Sequence, residues 1–243
     1  MKRNKKIRII AITLILITIC YISCGTSSVS SSDVHDSPET ISEINTTPEN
    51  NVTNIDTQTS EVQITIIKDG WDITDLDTAR NVDYLSDLEK EVILEMNMVR
   101  SDPKKYAEMF INPNQGATAR ECYNELIRSD SRPILMPKRG LSLAARDHVT
   151  NTGPRGIVGH TGADGSSMSQ RINRYGTWRG SISENCSYGH NTARGIMVQL
   201  LTSSGHRRNI MNRNSRYTGV AAGTHSRYNY MCVQKFANDF TDK

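Results

Sequence analysis

The sequence predicts an α+β sandwich, a small antiparallel sheet flanked by helices, over its last 160 or so residues, a size that closes one core. Three observations carry this. Helical periodicity dominates the first part of that region, and strand-like runs dominate its end, so helices lead and strands follow instead of alternating as in a parallel sheet. The residues upstream are too polar to join a core.

Taken in chain order, the first eight residues hold Lys2, Arg3, Lys5, Lys6 and Arg8 with no acid, and Ile9 to Ile22 is almost wholly aliphatic. That is the n-region and h-region of a signal sequence. The run is shorter than the roughly 18 residues that span a bilayer as a helix. Ser23-Cys24-Gly25 follows with small residues around a cysteine, the pattern of a lipoprotein signal-peptidase site, so residues 1–23 are expected to be cleaved and Cys24 lipidated. An ordinary cleaved signal, giving a secreted chain, is the other outcome.

Gly25 to Ser60 has no Lys, Arg or aromatic residue and is rich in Ser, Thr, Asn and acids. Such a segment cannot offset its ordering entropy by burial and reads as a disordered tether. Its flexible reach is about 30–35 Å by random-coil scaling. Glu61 to Ile67 alternates like a strand until Asp69-Gly70 breaks it, so residues 24–84 are taken as tether and transition, and residues 85–243 as the domain.

Within the domain, Ser86-Asp87-Leu88-Glu89 is a capping box, with Leu85, Leu88, Val92, Met96 and Val99 at helical spacing. Asp102-Pro103 ends that helix and starts another. Leu141 to Thr152, closed by Gly153, and Ser167 to Tyr175, closed by Gly176, read as further helices. Asn191 and Thr192 cap a helix whose stripe is Ala193, Ile196, Met197, Leu200 and Leu201, stopped at Gly205. Ser181 to Ser187, Tyr217 to Gly223 and Tyr228 to Ala237 suit strands.

Charge is unevenly placed. Residues 25–84 carry two basic and twelve acidic side chains, residues 85–243 carry 22 basic and 14 acidic. A basic domain suits anionic lipid headgroups, wall polymers or nucleic acid, and an export signal argues against the last. The sequence lacks GxSxG, HExxH and GxxxxGK[ST] patterns, and the exported part lacks a CxxC pair. The candidate chemistry is a set of polar residues at loop and strand edges. His160 lies in the glycine-dense turn Gly159 to Gly165, Glu184 on the strand with Asn185, and His206 just past the Gly205 stop. His148, His190 and His225 are expected at the surface.

Gly159 to Gly165 with Arg171 and Gly176, then Glu184-Asn185, then Ser203-x-Gly205-His206-Arg207-x-Asn209-Ile210, then Gly219 and Phe236, resemble the bacterial branch of the CAP superfamily, also called SCP-like domains. The resemblance covers about residues 85–238 and implies an α-β-α sandwich. It places His160, Glu184, His206 and Ser203 around a shared pocket. In the eukaryotic branch two histidines and two glutamates can hold zinc or another divalent cation. Here His160, His206 and Glu184 correspond to three of them, and Ser203 stands near the second glutamate. The family's history favours binding of a lipid, glycan or protein ligand at the envelope over catalysis, with a zinc-dependent hydrolase as the alternative. Beyond Cys24, three cysteines remain, an odd number. Cys186 and Cys232, on strands the fold puts in one sheet, leave a disulfide or simple packing open, with Cys122 as the odd thiol.

Overall fold

A computed structural model describes residues 65–243; the leader, Cys24 and the stem through residue 64 lie outside the described residues. The described chain opens on a hairpin, β1 (Ile67–Lys68) and β2 (Trp71–Asp72). Asp69 and Gly70 both have positive φ, 50° and 76°, as a two-residue type I′ turn requires. Asp-Gly therefore closes a hairpin where the sequence reading saw only a break.

Helix α1 (Asp87–Ser101) starts at Ser86 with the expected capping box to Glu89. Asp102 ends it and caps α2 (Pro103–Phe110) through Lys105 N–H. Helix α3 (Ala117–Leu126) follows, an element with no sequence expectation. The two-residue strand β3 (Met136–Pro137) leads into α4 (Arg139–Thr152). Ser167 and Gln170 form a second capping box on α5 (Met168–Tyr175), which passes directly into β4 (Gly176–Tyr188). Gly176 is extended, and a Cβ there would overlap the Phe240 ring, so close approach explains that glycine. Thr192 caps α6 (Ala193–Thr202), and α7 (Ser204–Ile210) follows after Ser203. The chain ends in the hairpin β5 (Tyr217–His225) and β6 (Asn229–Asp242).

The main sheet has the order β3-β5-β6-β4. Its β5–β6 and β6–β4 pairs are antiparallel, as expected, while β3 joins β5 in parallel. Helices cover both faces, which makes the α-β-α sandwich. On one face Ala145 and Val149 of α4 pack on Cys186, Ala221, Met231 and Val233. On the other, α1, α2, α3 and α6 share a larger core with Val220, Cys232 and Phe236. β4 is left as an edge strand.

Two expectations need correction. The boundary placed at residue 84 falls inside the packed unit: Trp71, Ile73, Leu76 and Ala79 are buried in the same core as α1. Asn97 holds that segment by donating to Leu76 O at 2.8 Å while its Oδ1 accepts from Leu135 N at 2.7 Å. The disulfide left open between Cys186 and Cys232 is absent, and all three cysteines are buried and free. Cys186 pairs with Val233 and Cys232 with Ser187, one residue apart in register. Side chains alternate across a sheet, so the two thiols face opposite layers.

Candidate functional site

The site lies across the free edge of β4. From one layer come Gly159 and His160 on the loop after α4; from the other come Leu200 of α6, Ser203, and His206 of α7. Cys186 and Tyr188 of β4 form the floor of a cleft of about 330 Å³.

The His160 loop is pinned at every step. His225 Nε2 donates to Ile157 O at 3.2 Å, and His148 Nε2 to Gly159 O at 2.8 Å. Gly159 N donates to Tyr188 Oη at 3.0 Å, and Arg171 Nη2 to His160 O at 2.8 Å. His148 and His225 are therefore fully buried structural residues, contrary to the surface placement expected. The helical stripe Leu141, Ala144, Ala145, His148, Val149 already contains His148, and that periodicity was the missed signal. His190 is exposed, as expected.

Beneath the loop sits a buried ion network. Glu184 lies directly opposite Lys235 in the β4–β6 register, and Lys235 Nζ donates to Glu184 Oε2. Arg171 Nη2 reaches the same oxygen at 3.2 Å, and His160 Nδ1 donates to Oε1 at 2.8 Å. The expectation that a buried Glu184 must be paired is met with three partners. Burial pushes the Glu184 carboxyl up, but the His160 hydrogen bond and the Lys235 charge outweigh it and hold the group down at about 2. Burial pulls Lys235 below its usual range, against the pull of Glu184. Lys235 escaped the sequence reading because only the register reveals that it faces Glu184.

His206 is held by its backbone: Asn185 Nδ2 donates to His206 O at 3.2 Å, and Asn209 Nδ2 to Asn185 Oδ1 at 2.9 Å. Both asparagines thus fasten α7 to β4. Burial and the neighbouring His160 lower the His206 pKa. Ser203 precedes α7 without a side-chain cap bond, leaving its hydroxyl to the cleft. Arg207 is buried against Glu125 and Glu121 at 2.6 and 2.8 Å, a structural ion pair.

The metal expectation fares differently from the pocket expectation. His160, His206 and Ser203 do line one cleft, with Glu184 beneath it. A divalent cation, however, would need a free carboxylate, and both Glu184 oxygens already accept from cations or imidazole. A further double charge beside Lys235 and Arg171 would be opposed by both. Among the described residues, the metal-type donor atoms within 4.8 Å of one another belong to His148, Glu184 and Cys186, without His206. His160, His206 and Glu184 as they stand do not fit zinc as a ligand triad.

Together, fold and cleft define an α-β-α sandwich with a polar recess at one sheet edge. Residues 120–236 match CAP, the Cysteine-rich secretory protein family, which supports the CAP superfamily for this domain. No curated protein matches the chain. Among solved structures, the chain is similar to an extracellular SCP-domain protein from Bacillus anthracis str. Ames at 20% identity and a TM-score of 0.38. That likeness covers 44% of this chain and 35% of that one, about a third of its length. An outer surface protein from Borrelia burgdorferi is similar at 16% identity and a TM-score of 0.40, covering 59% of this chain and 91% of that one.

Proposed function

We propose that this chain is an exported, non-enzymatic binding protein of the cell envelope: a CAP domain, lipid-anchored at Cys24, that captures a lipid, polymer or protein ligand in the β4 cleft. The observation that carries this reading is the closed ion network under the cleft. Glu184 has no oxygen free to act as a base or a metal ligand. The groups left at the mouth, His206, Ser203 and the outer nitrogen of His160, suit recognition by hydrogen bonding. The leader's composition and Cys24 support the export and anchoring, and export argues against a nucleic-acid partner.

The test is retention of envelope components by the full chain, with His160→Ala and His206→Ala alongside. A lipid, glycan or protein retained by wild type and lost at least tenfold in either variant supports the reading. Retention of nothing, or equal retention by all three, overturns it. Calorimetric titration with zinc separates the hydrolase alternative: a stoichiometric heat that vanishes in His206→Ala would restore the metal site and sink the present reading.

A further inference from the structure

We infer that the loop leading from α7 into β5, together with the segment before β3, is a phosphate-binding site, in which Arg132, Arg213 and Arg216 grip the phosphate group of an envelope polymer or lipid. The site lies at the β3 edge of the sheet, opposite the β4 cleft, so it would stand even if the cleft bound nothing.

Arg100 of α1 organises the two segments. It is fully buried, and its Nε donates to Pro133 O at 2.8 Å, its Nη1 to Ile210 O and Asn212 O at 2.6 and 3.0 Å, and its Nη2 to Ser215 O at 3.1 Å. Arg132 N in turn donates to Arg100 O at 2.6 Å. One side chain thus bends residues 210–215 around itself and draws Arg132 alongside. Buried charges are ordinarily paired. Four carbonyl dipoles satisfy the Arg100 N–H groups but bring no counter-ion.

Two more guanidinium groups are fixed to the same segments by carbonyls. Arg132 Nε donates to Met211 O at 3.0 Å and its Nη1 to Asp130 O and Ser131 O at 2.9 and 3.2 Å, which leaves Nη2 unspent. Arg216 Nη1 donates to Arg213 O at 2.6 Å, which leaves the Nε and Nη2 edge unspent. Arg213 is exposed, and among the described residues its side chain makes no hydrogen bond or ion pair. None of these four arginines has a carboxylate partner among the described residues, and Asp130, the one acid in residues 128–133 and 211–216, pairs with no cation there. The like charges meet: burial first, then Arg132 and Arg216, pull the Arg100 guanidinium down to about 10.

The chemistry of the ligand follows. A surface arginine gives up rotamer freedom when it binds, but Arg132 and Arg216 are already held by carbonyls, so less is lost. A guanidinium presents parallel N–H groups that match two oxygens of a carboxylate or a phosphate. A carboxylate offers its acceptors in one plane, whereas the tetrahedral oxygens of a phosphate accept from several directions. Three cations drawn from two segments, with no acid paired among them, therefore suit phosphate.

The experiment titrates the full chain, at physiological salt, with a soluble poly(glycerol phosphate) chain, with polyglutamate of equal charge, and with phosphatidylglycerol vesicles, phosphatidylcholine vesicles reporting whatever the anchor contributes. The expected result is saturable binding of at least one phosphate probe, about tenfold tighter than polyglutamate or phosphatidylcholine; the tighter of polymer and vesicle names the source. Replacing Arg213→Lys and Arg216→Lys together keeps the net charge but removes two forks, and should weaken binding about fivefold. Replacing Arg155→Gln and Arg227→Gln together removes two charges elsewhere and should cost less than about twofold. If the lysine variant melts early, Arg213→Gln, which breaks no internal bond, should still weaken binding about threefold. Equal binding of polyglutamate, unchanged affinity in the lysine variant with Arg213→Gln equally unchanged, or an equal loss in the Arg155 and Arg227 variant would mean a diffuse basic field and overturns the site. Failure of both phosphate probes overturns it too, while leaving the cleft reading to its own test.

Discussion

Neutralising Glu184 would leave Lys235 and Arg171 buried without their counter-ion. Breaking a buried pair from one side costs about 3–5 kcal/mol, so Glu184→Gln is expected to lower the urea midpoint sharply without changing the slope. An unchanged midpoint would show that the network is not coupled to stability. The pH dependence has a defined sign. Glu184 is held at about 2 in the fold against an ordinary 4.5, so its contribution is present above 4.5 and lost as pH falls from there toward 2. His148 and His206 act at higher pH, because burial lowers both below the ordinary 6.5. As pH falls below 6.5 the unfolded chain takes up protons that the folded chain refuses, and stability declines. Thermal melts should therefore drop between pH 7 and 5, and His148→Gln, which keeps a donor for Gly159 O, should flatten that slope. A slope identical to wild type would remove His148 as a cause.

The hairpin β1–β2 shows what a short element contributes when its side chains reach the core. Trp71 stacks on Phe110 at 6.1 Å between ring centroids, meets Tyr106 edge-on at 6.3 Å, and lies under Lys105 Nζ at 4.2 Å. Arg194 bridges Asp69 of the turn to Glu95 of α1, at 2.8 and 2.7 Å. Trp71→Ala is expected to cost about 3 kcal/mol in chemical unfolding, and a chain begun at residue 85 should be markedly less stable than one begun at residue 65. Equal melting of those two chains would return the boundary to residue 84. Helices α1, α2, α4, α5 and α6 were legible because capping boxes, Asp-Pro and apolar stripes are written locally. Strands β1, β2 and β3 were not, since two residues have no period. The family motif pointed to His160, His206 and Ser203, which line the cleft, and to Glu184, which lies beneath it and outside its lining. The pairing of Lys235 with Glu184 and the separation of Cys186 from Cys232 depend on strand register, which no local pattern encodes.

At the scale of the whole chain, the sequence sets an acidic stretch, two basic against twelve acidic residues over 25–84, before a basic region with 22 against 14 over 85–243. If Cys24 carries the anchor, that basic region is held near headgroups whose negative potential attracts it within a Debye length of about 8 Å at physiological salt. Two contributions to membrane association then separate experimentally. Cys24→Ala should abolish fatty-acid labelling and shift the chain from the membrane pellet to the soluble or secreted fraction. Whatever part of that variant still sediments with anionic vesicles should be released by about 0.5 M salt, because exposed charges are screened at that strength. Wild type, held by acyl chains worth about 0.8 kcal/mol per buried methylene, should stay in the pellet under the same wash. Retention of Cys24→Ala in the membrane through high salt would instead mean that the Ile9–Ile22 segment remains attached and serves as the anchor itself.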